Sequence, residues 1–69
     1  MNRVRATVNG AETELAPGTT VADVVAAVCR DDRGVAVALD REVVPRSRWE
    51  VVAVGDGAHV EVVTAAAGG

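Results

Sequence analysis

A chain of 69 residues is long enough for one domain, and 49% hydrophobic with 25% charged residues is the composition of a folded protein. A net charge of −3 and a single aromatic residue argue against nucleic-acid binding, which uses basic patches and aromatic stacking platforms. One cysteine excludes an intramolecular disulfide, and no apolar run is long enough for a signal peptide or a membrane span. We therefore expect a cytoplasmic protein with no membrane or nucleic-acid partner.

The first part of the chain has the pattern of a β-hairpin followed by a helix. Residues 4–8 and 11–15 alternate apolar and polar side chains, and Asn9-Gly10 between them is a strong two-residue hairpin signal. Thr20 is a good N-cap for a helix that starts at the next residue. The apolar stripe of this helix follows the spacing i, i+3, i+4, i+7 and consists of Val21, Val24, Val25 and Val28.

The remaining part predicts strands joined by irregular connections. Residues 35–39 are apolar on both faces, which is typical of an inner strand. Pro45 cannot donate to a strand ladder, so its segment is expected to be an edge or an irregular connection. A short strand is predicted over residues 49–52, a turn over residues 54–57, and the last strand over residues 59–64.

The order β-β-α-β-β-β predicts an α+β fold, a ubiquitin-like β-grasp with one main helix packed on a mixed sheet. In this fold the final strand returns to the middle of the sheet. The domain is expected to cover residues 1–64, and residues 65–69 form a flexible C-terminal tail. A looser α+β sandwich is the alternative that strand alternation leaves open.

An internal active site is not supported by the residue types. His59 is the only histidine, so ordinary metal-ligand spacing cannot be made. Cys29 with His59 is formally a nucleophile and a base, but a small apolar role at the edge of the helix stripe is the favoured interpretation of Cys29. The tail Ala65–Gly69 remains, since it lacks large side chains and is able to thread a narrow channel. The competing interpretation is a frayed terminus.

A family resemblance gives this tail a role. The run from Val35 to Trp49, which includes Val-Pro-Arg-Ser-Arg-Trp, and the final Gly68-Gly69 resemble the ThiS family of thiamin-pathway sulfur carriers. The early Val-Asn-Gly and the Gly-Thr-Thr-Val segment before the helix are also similar. The resemblance covers nearly the whole chain. Asp40 departs from it, since the family commonly has Asn there, and the Gly-Asp turn before the last strand is displaced.

The resemblance implies a carrier that is acted upon, not an enzyme. A ThiF-like adenylating enzyme would use ATP and magnesium to activate the carboxylate of Gly69. Sulfur from a donor such as a cysteine desulfurase would then give a thiocarboxylate, which a ThiG-like thiazole synthase would consume. Gly68, Ala67 and Ala66 would thread the active sites of these partners. The carrier itself would hold no metal and no stably bound cofactor.

Docking is expected to come from the folded domain. Strand alternation points to the sheet face near the tail, with the candidates Arg3, Arg5, Glu61 and Val63. Arg46 has two interpretations, which are to hold the irregular connection by bonding carbonyls or to face a partner. Trp49 is interpreted as a core or edge anchor in preference to a partner contact.

Three alternatives to the thiamin pathway remain open at this point. The first is a sulfur carrier for molybdopterin or another biosynthetic pathway, which would share the fold and the Gly-Gly end. The second is a ubiquitin-like modifier attached to lysines of other proteins. The third is an interaction module that never reacts.

Overall fold

The computed structural model describes residues 3–31 and 33–64, which form one mixed sheet covered on one face by a single α-helix. The elements in chain order are β1 (Val4–Val8), β2 (Ala11–Leu15), α1 (Val21–Val28), β3 (Val35–Leu39), β4 (Glu42–Val44), a 3-10 turn (Arg46–Arg48) and β5 (His59–Thr64). The strand order is β2-β1-β5-β3-β4. The last strand thus lies in the middle, parallel to β1 and antiparallel to β3, which confirms the predicted β-grasp over the looser sandwich.

The first hairpin forms as the sequence predicts. Asn9 and Gly10 have φ angles of 51° and 84°, and this left-handed pair suits the twist of the two antiparallel strands. Alternation along β1 buries Ala6 and Val8 beneath the helix and leaves Arg5 on the other side of the sheet. The side of the sheet without the helix is called the open face below.

Helix α1 begins at Val21 behind a complete capping box. The hydroxyl of Thr20 accepts from the backbone N–H of Asp23 at 3.2 Å, and the carboxylate of Asp23 accepts from the N–H of Thr20 at 3.0 Å. A cap of this kind contributes about 1 kcal/mol, a useful fraction of the stability of so small a domain. Three residues of the predicted stripe are buried, whereas Val28 at the end of the helix is 50% exposed.

The core lies between α1 and the sheet and consists mostly of small apolar side chains. Its buried members are Ala6, Val8, Val21, Val24, Val25, Val37, Val44, Trp49, Val54, Ala58, Val60 and Val62. The two central strands β3 and β5 contribute Val37 and Val60, each 1% exposed. The predicted inner position of residues 35–39 is therefore confirmed.

The connection after β4 differs from the expectation at one point. β4 is a three-residue edge strand that ends before Pro45, as predicted. The short strand expected over residues 49–52 does not form, because Trp49 adopts helical angles (φ −57°, ψ −35°) after the 3-10 turn. The carbonyl of Val52 accepts from the N–H of Val21 instead, and the N–H of Val54 donates to Thr19. This segment is used to hold the start of the helix and not to extend the sheet.

Candidate functional site

The folded domain offers no internal catalytic constellation over the described ranges 3–31 and 33–64. No group of three or more His, Cys, Asp or Glu side chains in them is arranged to hold a metal ion. His59 lies on the open face, with Nδ1 2.7 Å from the hydroxyl of Thr7. Cys29 follows the helix on the opposite side of the sheet and packs against the core. The formal nucleophile–base pair of Cys29 and His59 is therefore not assembled, and the small apolar role predicted for Cys29 agrees with its position.

The tail itself lies outside the described residues. The predicted roles of Gly69, Gly68, Ala67 and Ala66 therefore stay predictions. What the structure defines is the strand that leads to the tail. β5 runs between β1 and β3, and its last residue, Thr64, is level with Val35 at the start of β3.

Three side chains at turns accept hydrogen bonds from backbone N–H groups of β5 and its neighbour β1. The Oδ1 atom of Asn9 accepts from the N–H of Val62 at 2.8 Å, and the carboxylate of Asp40 accepts from the N–H of His59 at 2.9 Å. Asp56 accepts in the same way from the N–H of Arg5 at 2.8 Å. In each case a side-chain oxygen bonds a strand N–H at a point where the chain is turning. The turns at Asn9 and Asp56 were predicted from the sequence, but the bonds from these side chains and from Asp40 to neighbouring strands were not.

An exposed apolar surface covers the tail end of the open face. Register places Val43 beside Ala38, Ala38 beside Glu61, and Ala36 beside Val63. Val43 is 75% exposed and Val63 is 60% exposed. We call Ala36, Ala38, Val43 and Val63, with Glu61 among them, the open-face patch. Two exposed valines and two alanines next to one carboxylate form a surface suited to protein docking.

Of the predicted docking residues, Glu61 and Val63 belong to the open-face patch, but Arg3 and Arg5 do not. The expectation that all four lie near the tail is wrong for the two arginines. β1 runs parallel to β5, and the carbonyl of Arg5 accepts from Gly57, so both arginines stand on the order of 20 Å from Thr64 along the strand direction. Both guanidinium groups face the carboxylate of Glu14, with a nitrogen of Arg3 2.9 Å and a nitrogen of Arg5 3.8 Å from its oxygens. Their part in docking stays a prediction, for the far end of the sheet.

Arg46 and Trp49 lie on the helix side of the molecule. The indole of Trp49 is 5% exposed, and its Nε1 donates to the carbonyl of Val44 at 2.9 Å, so its predicted role as a core anchor is confirmed. The guanidinium of Arg46 lies over the indole ring, 5.4 Å from its centroid, within cation–π range. Arg46 therefore helps to cover Trp49 and is separated from the open-face patch by the sheet. A partner contact through Arg46 stays a prediction.

Comparison with known proteins agrees with this geometry. The ThiS family model matches residues 2–69 of the chain. Among solved structures, the thiamine biosynthesis protein ThiS from Geobacter metallireducens is 28% identical, with a TM-score of 0.76, and the match covers 96% of this chain and 100% of that chain. No match was found among curated proteins. In the described part of the chain, no helix is long and apolar enough to cross a membrane.

Proposed function

Because this chain belongs to the ThiS family, we propose that it is a sulfur carrier of the thiamin pathway whose reacting group is the carboxylate of Gly69. The observation that carries the proposal is the family match, which runs through residue 69 and so includes the final Gly-Gly. The fold supports it, since β5 is the central strand and leads directly into the tail. A tail anchored this way is presented by a rigid support.

The chemistry proposed for Gly69 takes two steps on partner enzymes. A carboxylate is a poor acyl donor, so a ThiF-like enzyme first joins it to AMP from ATP, with magnesium, and releases pyrophosphate. The terminal sulfur of a persulfide from a cysteine desulfurase then displaces AMP, and a thiol reductant cleaves the resulting acyl disulfide to release the thiocarboxylate. A ThiG-like thiazole synthase takes the sulfur, and the carboxylate returns for another round. As part of this proposal, the carrier works in the cytoplasm.

Small residues suit the tail to this role. Gly68, Ala67 and Ala66 have no side chain larger than a methyl group, so the tail can pass through a channel that excludes larger residues. The chain also contains no lysine, so no side-chain amine of its own is available to capture the activated carboxyl group. In this account the carrier contributes no catalytic group, and all catalysis belongs to its partners.

The open-face patch is the proposed docking surface for these partners. It lies at the tail end of the sheet, so an enzyme that contacts Val43 and Val63 has the tail within reach. Burial of two exposed valines on docking removes apolar surface from water and favours the complex. Glu61 lies among the apolar residues and provides one charge with which the partner sets orientation.

ATP–pyrophosphate exchange with the ThiF-like enzyme tests the first step. We expect the wild-type chain to stimulate exchange and a chain without Gly69 to give none, since deletion shortens the tail and moves the carboxylate out of reach. Replacing Ala65 by Gly is the matched control, and it is expected to leave exchange unchanged. Equal exchange with and without Gly69 would contradict the proposal.

A further inference from the structure

Strand β1 does not extend along the C-terminal end of β5, so β5 lacks a neighbouring strand on that side. Pairing between β1 and β5 stops at Val8 and Val60, because the chain turns back at Asn9-Gly10. On its other side, β5 stays paired with β3 as far as Thr64. Among the described residues no strand lies next to residues 62–64 on the side that β1 has left. We call this stretch of β5 the vacant edge.

The alternating direction of backbone N–H and C=O groups along β5 shows which of them point to the vacant edge. The N–H of Asn9 donates to the carbonyl of Val60 at 2.9 Å, and Val62 donates to the side chain of Asn9. Successive residues of a strand direct their backbone groups to opposite edges. The carbonyl of Val62 and the N–H of Thr64 therefore point to the vacant edge, whereas Val63 bonds on the β3 side.

The two outer edges of the sheet are protected in ways that the vacant edge is not. β2 carries Glu12 and Glu14 on its open-face side, and β4 has only three residues and is followed by Pro45. Charges, short length and proline all discourage the addition of another strand. The vacant edge is as short as β4, but it carries neither a charged side chain nor a proline, and the exposed side chain of Val63 flanks it.

We propose that the enzyme acting on Gly69 adds an extended strand of its own to the vacant edge. This strand would accept a hydrogen bond from the N–H of Thr64, donate one to the carbonyl of Val62, and place an apolar side chain against Val63. Asn9 closes the inner end of the edge, so the added strand has one register and runs on beside the tail. The inference rests on the proposed function and names the backbone contact that delivers the tail.

Substitution of Thr64 separates the backbone donor from the side chain. Thr64→Pro removes the N–H that points to the vacant edge, whereas Thr64→Ala keeps it and removes only the hydroxyl and methyl groups. We expect Thr64→Pro to raise the KM for the carrier in ATP–pyrophosphate exchange about three- to tenfold relative to Thr64→Ala, the effect of one lost hydrogen bond. Equal KM values for the two variants would overturn the proposal.

Amide exchange of the wild-type chain provides a second readout that does not depend on a proline. In the free carrier, the Thr64 amide should exchange faster than the Val63 amide, which is bonded to β3. On addition of the ThiF-like enzyme, protection of Thr64 should increase at least tenfold. Unchanged exchange at Thr64 in a complex that still adenylates the carrier would overturn this inference alone. Failure to adenylate the wild-type chain would overturn the proposed function as well.

A second copy of the chain is the other possible occupant of the vacant edge. Protection of Thr64 that grows with the concentration of the carrier alone would show pairing between two β5 strands, and it would overturn the assignment to the enzyme. Dilution without any change in Thr64 exchange, together with protection by the enzyme, would support the assignment.

Discussion

Asn9 has two tasks in this domain, and each uses a different property of asparagine. Its backbone adopts φ of 51°, which asparagine tolerates better than most residues, and so allows the tight turn between β1 and β2. Its side-chain oxygen bonds the N–H of Val62, two residues before the end of β5. A turn residue of the first hairpin thus stabilises the strand that leads to the tail.

Asn9→Gly tests the second task without disturbing the first. Glycine accepts positive φ at no steric cost, so the turn is retained while the hydrogen bond to Val62 is lost. We expect a loss of about 1 kcal/mol in the free energy of unfolding, measured by urea denaturation. Asn9→Asp keeps an acceptor oxygen and should retain most of the stability. A larger loss for Asn9→Asp than for Asn9→Gly would contradict this role.

Trp49 anchors the irregular connection through both its ring and its N–H group. The ring is buried, and Nε1 satisfies the carbonyl of Val44 at the end of the edge strand. Trp49→Phe keeps an aromatic ring but removes this donor, and it should lower the free energy of unfolding by about 2 kcal/mol. Exchange activity of the folded fraction should be unchanged, since Trp49 lies on the helix side. A large rise in KM with unchanged stability would show instead that Trp49 contacts a partner.

At the level of elements, the two sides of the sheet have different purposes. The helix side buries nearly all of the large apolar side chains of the sheet, whereas the open face keeps Val43 and Val63 exposed. Val51, outside the sheet, is exposed as well, so Val43 and Val63 are distinguished not by exposure alone but by sharing the open face with the end of β5. The proposed docking of partner enzymes to this face would account for them.

Val43→Asp and Val63→Asp test the open-face patch. Each places a charge on the proposed docking surface, and we expect each to raise the KM for the carrier at least tenfold in ATP–pyrophosphate exchange. Val51→Asp is the matched control, because Val51 is 70% exposed but lies outside the sheet. Thermal denaturation should show all three variants folded. Equal KM values for the patch variants and Val51→Asp would contradict docking through this face.

The effect of a bulky side chain in the tail is expected to decrease with distance from the carboxylate of Gly69. Gly68→Val adds a branched side chain next to the reacting carboxylate, where a narrow channel would exclude it, and we expect exchange to fall at least 100-fold (about 2.7 kcal/mol by the rate relation). The same change at Ala65, farthest from the carboxylate, should reduce exchange by less than about threefold. Similar effects at the two positions would contradict threading of the tail into a channel.

For the molecule as a whole, local patterns predicted most of the fold. The Asn9-Gly10 turn, the Thr20 cap and the strand alternation each depend on near neighbours, and each is present in the structure. The segment over residues 49–52 was mispredicted, because burial of the Trp49 ring and pairing with the start of the helix are long-range effects. Alternation alone correctly put Arg3 and Arg5 on the open face. Only the parallel register of β1 and β5 shows that they lie far from the tail.

In the proposed function, the folded sheet binds the partner enzymes and the tail of small residues carries the reacting carboxylate. The sheet supplies the open-face patch and the vacant edge, and β5 leads from them to the tail residues that are proposed to react. The chemistry of the proposed function depends on where partner enzymes receive Gly69.

The mass of the intact chain tests this account most directly. After incubation with the ThiF-like enzyme, ATP, magnesium and a sulfur source, we predict a gain of about 16 Da, because sulfur replaces one carboxylate oxygen. The gain should be absent without ATP or in a chain lacking Gly69, and it should disappear when a ThiG-like thiazole synthase and its substrates are added. A chain whose mass stays unchanged under conditions that thiocarboxylate a known carrier would contradict the account, as would attachment of the chain to a lysine of another protein.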